Sequence, residues 1–237
     1  MPALRRSALN RAAAYRVLRA DPVMAGLIEA VGPCRIQWGT QRTPFEALMH
    51  AIAHQQLNGT AAGRILARFT ALFGGTAFPS PQQLLDTDAQ ALRAAGFSFA
   101  KIAALKDLAA KALAGVVPAA VELAELEDLE IIERLTAVRG IGRWTVEMML
   151  IFQLQRPDVL PVDDFGVRNG FRLAYRLPGM PLPRALAAYG ERWKPYRSIA
   201  AWYLWRAVEL SRADRLPRCP RPPRVAVSVA RVDKRGS

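Results

Sequence analysis

Residues 135–164 read Leu135-Thr136-Ala137-Val138-Arg139-Gly140-Ile141-Gly142-Arg143-Trp144-Thr145-Val146-Glu147-Met148-Met149-Leu150-Ile151-Phe152-Gln153-Leu154-Gln155-Arg156-Pro157-Asp158-Val159-Leu160-Pro161-Val162-Asp163-Asp164. An acid-rich segment with Leu129, Ile132 and Leu135 on one helical face runs into this stretch, and a second apolar helix starts near Trp144. Two helices joined through Gly140-Ile141-Gly142 leave the first amides of the second helix without intrahelical partners, at the positive end of its dipole. Glycine lets that backbone approach an anion closely, so the turn suits a phosphate held without regard to base sequence. Arg139 and Arg143 add charge on either side. A tight helix–helix connection that touches no ligand would use the same residues, so the turn decides nothing alone. Further on, Pro161-Val162-Asp163-Asp164 places two carboxylates at the start of another expected helix, where Asp is a favoured N-cap.

Outward from this stretch the helical signals continue. Residues 8–20 form an Ala/Arg pattern, and Asp21-Pro22 supplies an N-cap followed by proline for a helix that stops near Gly32-Pro33. Cys34 to Trp38 is the best candidate for a short extended piece. Thr43-Pro44-Phe45-Glu46 is a capping box, and Asn58-Gly59-Thr60 separates its helix from one carrying Ile65, Leu66, Phe69, Leu72 and Phe73. Ser80-Pro81, Asp88 and Ser98 each open another helix. Beyond the hairpin, helices are expected from about 164 to 176, 183 to 192 and 197 to 211. No period-2 stretch competes, so the expected fold is all-α, with ten or eleven helices.

The chain has 237 residues and 51% hydrophobic content, enough for one domain of two lobes sharing a cleft. The middle lobe is expected at about 44–160 and the second at about 8–43 plus 161–216. A Pro/Arg-rich basic tail, 217–237, follows this 1–216 domain. The formal net charge of +13 suggests an anionic partner, nucleic acid before membrane. The two ends carry +11 of it, however, leaving the body nearly neutral, so charge alone supports nucleic-acid binding weakly. Two cysteines, Cys34 and Cys219, build no disulfide framework and cannot supply a four-cysteine iron–sulfur cluster. His50 and His54 are spaced as a metal pair would be but lack an intervening Glu or further ligands, so no metal is expected. No apolar run reaches membrane-spanning length and no signal-peptide core opens the chain, so a cytoplasmic protein is expected, nucleoid-associated if bacterial.

Three segments together are far more specific than the turn. Gly140-Ile141-Gly142-Arg143-Trp144-Thr145, Leu160-Pro161-Val162-Asp163-Asp164-Phe165 and Arg192-Trp193-Lys194-Pro195-Tyr196-Arg197-Ser198 resemble the helix-hairpin-helix (HhH-GPD) DNA glycosylase superfamily, in particular its 3-methyladenine DNA glycosylase II (AlkA) branch. With the weaker His54-Gln55-Gln56-Leu57 segment the resemblance covers roughly residues 20–210. It implies two helical lobes with the active site in the cleft between them. It also implies a base excision repair enzyme acting on double-stranded DNA that contains alkylated bases, as a monomer and without a cofactor. The β-rich lobe that precedes the helical core in AlkA has no counterpart in this sequence, so the range of lesions is expected to differ.

The resemblance also assigns roles. The essential Asp of the AlkA pattern matches Asp164, while branches with a single Asp after Val align as easily with Asp163, and both registers stay open. An ionised carboxylate there can stabilise oxocarbenium-like charge on the sugar or position water. Trp144 stands where bifunctional glycosylase/lyases carry a nucleophilic Lys, and tryptophan cannot form a Schiff base, so a monofunctional hydrolase is implied. Trp144, Trp205, Phe165 and Met148 are the expected base pocket, Met148 replacing a pocket Tyr. Aromatic faces suit a cationic alkylated purine. Arg139, Gly140, Ile141, Gly142 and Arg143 form the expected phosphate hairpin, and Gln55, Gln56 and Leu57 the wedge that fills the gap left by a flipped nucleotide. Two alternatives stand beside this reading: a non-catalytic helix-hairpin-helix DNA-binding protein, and a glycosylase for oxidised or mismatched bases.

Overall fold

The computed structural model describes residues 11–36, 42–75 and 78–217. Among these residues the fold is all-α, as expected from the sequence, with thirteen α-helices and one 3₁₀ turn. By contact, the chain divides into two units, one of Met1–Trp38 with Leu150–Ser237 and the other of Gly39–Met149. The border falls inside a helix rather than in the loop near 160. The expected N-terminal helix is seen from residue 11, while its first residues, Trp38 and the tail beyond Pro217 lie outside the described residues.

The second unit holds α3 (Pro44–His54), α4 (Gly59–Ala71), α5 (Pro81–Asp86), α6 (Ala89–Ala94), α7 (Phe99–Leu113), α8 (Ala120–Glu125), α9 (Asp128–Thr136) and most of α10 (Arg143–Phe152). Capping sets most of the starts. In the Thr43 box the Glu46 amide donates to Thr43 Oγ1 at 3.2 Å and the Thr43 amide to Glu46 Oε2 at 2.9 Å. Ser80 and Gln83 repeat the arrangement for α5, and Asn58 accepts the Ala61 amide at 2.8 Å for α4. The six-residue α8 is too short for a helical periodicity to show in the sequence. In α9 the face turned to the core is Ile131, Ile132 and Leu135, while Leu129 is 70% exposed. Since α9 begins only at Asp128, Leu129 sits in its first turn and off that face.

The first unit holds α1 (Arg11–Leu18), α2 (Pro22–Val31), α11 (Phe165–Ala174), α12 (Pro183–Gly190), the 3₁₀ turn Glu191–Trp193 and α13 (Arg197–Arg212). Its core is pinned by a buried carboxylate. Asp21 caps α2 through the Val23 amide at 3.0 Å and accepts Tyr175 Oη at 2.6 Å, Tyr189 Oη at 3.1 Å and Trp193 Nε1 at 3.2 Å. Burial, and next the Asp21 charge, lift the Tyr175 hydroxyl well above its usual range and push Tyr189 up to about 12, so both remain donors. One side chain thereby joins α2, α11, α12 and the 3₁₀ turn. Asp21→Ala strands several buried donors, and is expected to cost about 3 kcal/mol or more in denaturant unfolding.

Candidate active site

Asp164 occupies the N-cap of α11, with extended backbone (φ −65°, ψ 122°), and its Oδ1 accepts the Val167 amide at 2.6 Å. The same oxygen accepts the Trp205 indole N–H from α13 at 2.9 Å. The Trp205 ring stacks on Phe152 at the end of α10, centroids 5.8 Å apart and planes 25° apart. Asp163 is exposed and outside the cap, and Phe165 is 69% exposed.

The approach to Asp164 is held from the other side. Ser198 Oγ donates to the Arg156 carbonyl at 2.6 Å and accepts the Val159 amide at 2.9 Å. Arg197 grips Asp158 with Nε on Oδ1 at 2.8 Å and Nη2 on Oδ2 at 3.0 Å, a planar fork that fixes orientation as well as distance. The Arg197-Ser198 pair quoted from the sequence thus fastens residues 156–159, which lead into Asp163-Asp164, to the start of α13. Asp158 carries no motif in the sequence that would mark this role. The i-to-i+39 pairing carries no local signal.

In the other unit the hairpin is built on α7. The Arg139 amide donates to Asp107 Oδ2 at 2.7 Å, and Asp107 also pairs with Lys111. Burial opposes its charge, but the Arg139 amide and Lys111 outweigh it and hold the Asp107 carboxyl below its usual value. Gly140 has φ +77°, a conformation that side chains avoid, whereas Gly142 has no positive φ and its added Cβ would meet nothing within 4 Å. The Gly142 carbonyl accepts the Thr145 and Val146 amides and so starts α10. Ile141 is buried, and Arg143 is tied to Glu147 of its own helix at 2.9 Å. Trp144, 51% exposed, and the half-buried Met148 stand one turn apart on α10.

The loop after α3 meets the hairpin within this unit. Gln55 Nε2 donates to the Gly140 carbonyl at 2.7 Å, so Gln55 is engaged, while Gln56, at φ 57°, and Leu57 are exposed. Lys101 of α7 donates to the Ala53 carbonyl at 2.7 Å, which holds the end of α3 against the same support. His50 and His54 stack with centroids 4.1 Å apart. Burial, and next the His54 charge, bring His50 down to about 4, which keeps it neutral at ordinary pH.

The hairpin joins α9 and α10 through one conformationally required glycine, and a carboxylate that also takes an indole N–H caps α11. The chain belongs to the HhH-GPD superfamily of base excision DNA repair proteins, whose family model matches residues 49–195. It is similar to DNA-3-methyladenine glycosylase 1 of Schizosaccharomyces pombe, with 42% identity over 186 residues, covering 78% of this chain and 82% of that protein. Among solved structures it resembles a DNA-3-methyladenine glycosidase from Bacillus halodurans, with TM-score 0.77 and 33% identity over 84% of this chain and 90% of that one. It also resembles a 3-methyladenine DNA glycosylase from the same yeast in complex with abasic DNA, with TM-score 0.72 and 41% identity over 84% and 98% of the two chains.

Proposed function

We propose that this protein is a monofunctional DNA glycosylase that hydrolyses the N-glycosidic bond of alkylated bases, of the 3-methyladenine and 7-methylguanine type, in double-stranded DNA. The observation that carries this reading is Asp164, held at a helix N-terminus by the Val167 amide and the Trp205 indole. Alkylation at a ring nitrogen leaves the base cationic and ready to depart, so the chemistry asks little general-acid help and mainly needs stabilisation of positive charge on the sugar. A fixed carboxylate supplies that, and water completes the hydrolysis. Trp144 in the hairpin provides no amine for a Schiff base, which makes the reaction a hydrolysis without strand cleavage. The relatives named for 3-methyladenine support the substrate class, and the neighbour solved on abasic DNA supports the partner.

Trp144 and Phe165 keep large aromatic surfaces exposed, which suits contact with a flipped cationic base, and Trp205 and Met148 are proposed for the same role. Gln56 and Leu57 are the members of the Gln55-Gln56-Leu57 wedge left exposed to fill the vacated stack, with Gln55 bracing them on the hairpin. The protein is expected to act as a monomer in the cytoplasm, on the nucleoid in a bacterium. Incubation with methylated, oxidised and mismatched duplexes, followed by assay for free base, tests the reading. Release from the methylated duplex alone is expected. Release from none would leave a DNA-binding module, and release from the oxidised or mismatched duplex only would move the protein to another specificity.

The two hairpin glycines separate conformation from contact. Gly142→Thr keeps an acceptable N-cap and has open space for its side chain, so stability should change by less than about 0.5 kcal/mol. Its affinity for all duplexes should nevertheless fall together, because the added atoms occupy the space into which a phosphate must come. Gly140→Thr is expected to lower stability by about 1–2 kcal/mol, the cost of a side chain at positive φ. Thermal unfolding beside anisotropy titrations at several salt concentrations distinguishes the two. A Gly142→Thr loss confined to one sequence or one lesion would contradict a phosphate role.

A further inference from the structure

We infer that Trp205 is a positioning residue for Asp164, acting through the edge of its indole, and that Gly166 exists to let it do so. The inference rests on the catalytic reading of Asp164 above. An N-capping aspartate needs only its own helix's amide, and Val167 provides it at 2.6 Å. Asp164 Oδ1 receives a second donor from α13, the Trp205 indole N–H at 2.9 Å. Two donors arriving from different helices hold this oxygen more firmly than the cap bond alone. The indole is itself fixed, since one face lies on Phe152 at 5.8 Å.

Residue 166 makes the approach possible. A Cβ there would lie 2.8 Å from Trp205 Cδ1, 3.1 Å from Trp205 Nε1 and 3.1 Å from Asp164 Oδ1. Gly166 has no positive φ, so its backbone does not demand glycine. The space it leaves is filled by the indole edge and the carboxylate oxygen. Electrostatic stabilisation of a developing cation depends on a charge already in place, since a carboxylate that must first reorient offsets its own gain. Trp205 therefore serves the reaction through Asp164 as well as through any stacking on the base.

Trp205→Phe tests this, because it keeps an aromatic ring beside Phe152 while removing the N–H donor together with one ring of the indole. The single-turnover rate of base release should fall about tenfold, with affinity for a duplex carrying a tetrahydrofuran abasic analogue held within about twofold. The factor should be the same for every base that the wild type releases, since the effect runs through the carboxylate. Gly166→Ala keeps the N–H but displaces the indole, and should lose rate in the same way; it also serves if Trp205→Phe folds poorly. A wild-type rate in a folded Trp205→Phe or Gly166→Ala protein, beside an inactive Asp164→Asn, overturns the inference and leaves the catalytic reading intact. A Trp205→Phe loss that appears only in affinity, or a lesion-dependent rate loss that Gly166→Ala does not share, also overturns it, in favour of a stacking wall. An Asp164→Asn protein with wild-type rate removes the catalytic reading and this inference together.

Discussion

Asp164→Asn is expected to bind alkylated duplexes as tightly as the wild type and to release their bases on the order of 10²- to 10³-fold more slowly, a loss of about 3–4 kcal/mol of transition-state stabilisation. The substitution is nearly silent in the fold. Asparagine is as good an N-cap as aspartate, and its carbonyl oxygen can accept both the Val167 amide and the Trp205 indole N–H. What disappears is the negative charge, and charge matters when the sugar becomes cationic. Ground-state affinity holds or improves, because a carboxylate beside phosphates is repelled before the base leaves. Asp163→Asn is the matched control: its side chain is exposed and outside the cap, so stability should move by less than about 0.5 kcal/mol and the rate should hold. Single-turnover kinetics and anisotropy on both folded variants check this. An inactive Asp163→Asn beside an active Asp164→Asn would shift the catalytic position by one residue.

Gly170→Ala is expected to be strongly destabilising. A Cβ at residue 170 would collide with the Leu204 carbonyl oxygen and lie 2.6 Å from its carbon, so α11 and α13 approach through backbone, with no side chain to rotate away. Relief requires the two helices to part, and a stability loss of about 3 kcal/mol or more should follow. Because α11 carries Asp164 and α13 carries Trp205, the parting also pulls at the 2.9 Å bond between them, so surviving folded protein should cleave slowly. Gly63→Ala is the contrast: it lies within α4, its Cβ would meet nothing within 4 Å, and about 0.4–1 kcal/mol of stabilisation is expected. Thermal unfolding of the two variants side by side checks the prediction. An unchanged melting temperature for Gly170→Ala would mean that the helices are not in backbone contact.

What the sequence reveals of this arrangement is local. Asp21-Pro22, the Thr43 and Ser80 capping boxes and Asp88 mark helix starts because the capping atoms lie within three residues of the amides they satisfy. Gly140 is likewise readable as a turn residue, since its positive φ is set by the turn itself. What it hides is separated along the chain. Asp164 and Trp205 stand 41 positions apart, Gly170 meets Leu204 across a helix crossing, and Asp21 draws its phenol and indole donors from more than 150 residues away. Nothing in the periodicity of α11 distinguishes Gly166 and Gly170 from ordinary weak positions. The Gln55 amide is a related case, since the loop composition suggests a projecting side chain and only the folded unit brings it to the Gly140 carbonyl.

A duplex carrying one site-specific 7-methylguanine, incubated with excess protein and followed for both the released base and the strand, tests Asp164-assisted hydrolysis most directly. Stoichiometric free 7-methylguanine is expected from the wild type, with an unbroken strand that breaks only on later alkaline treatment and release slowed at least about a hundredfold by Asp164→Asn. Strand scission without alkali, or base release that survives the loss of the Asp164 charge, would contradict a monofunctional hydrolysis that depends on Asp164.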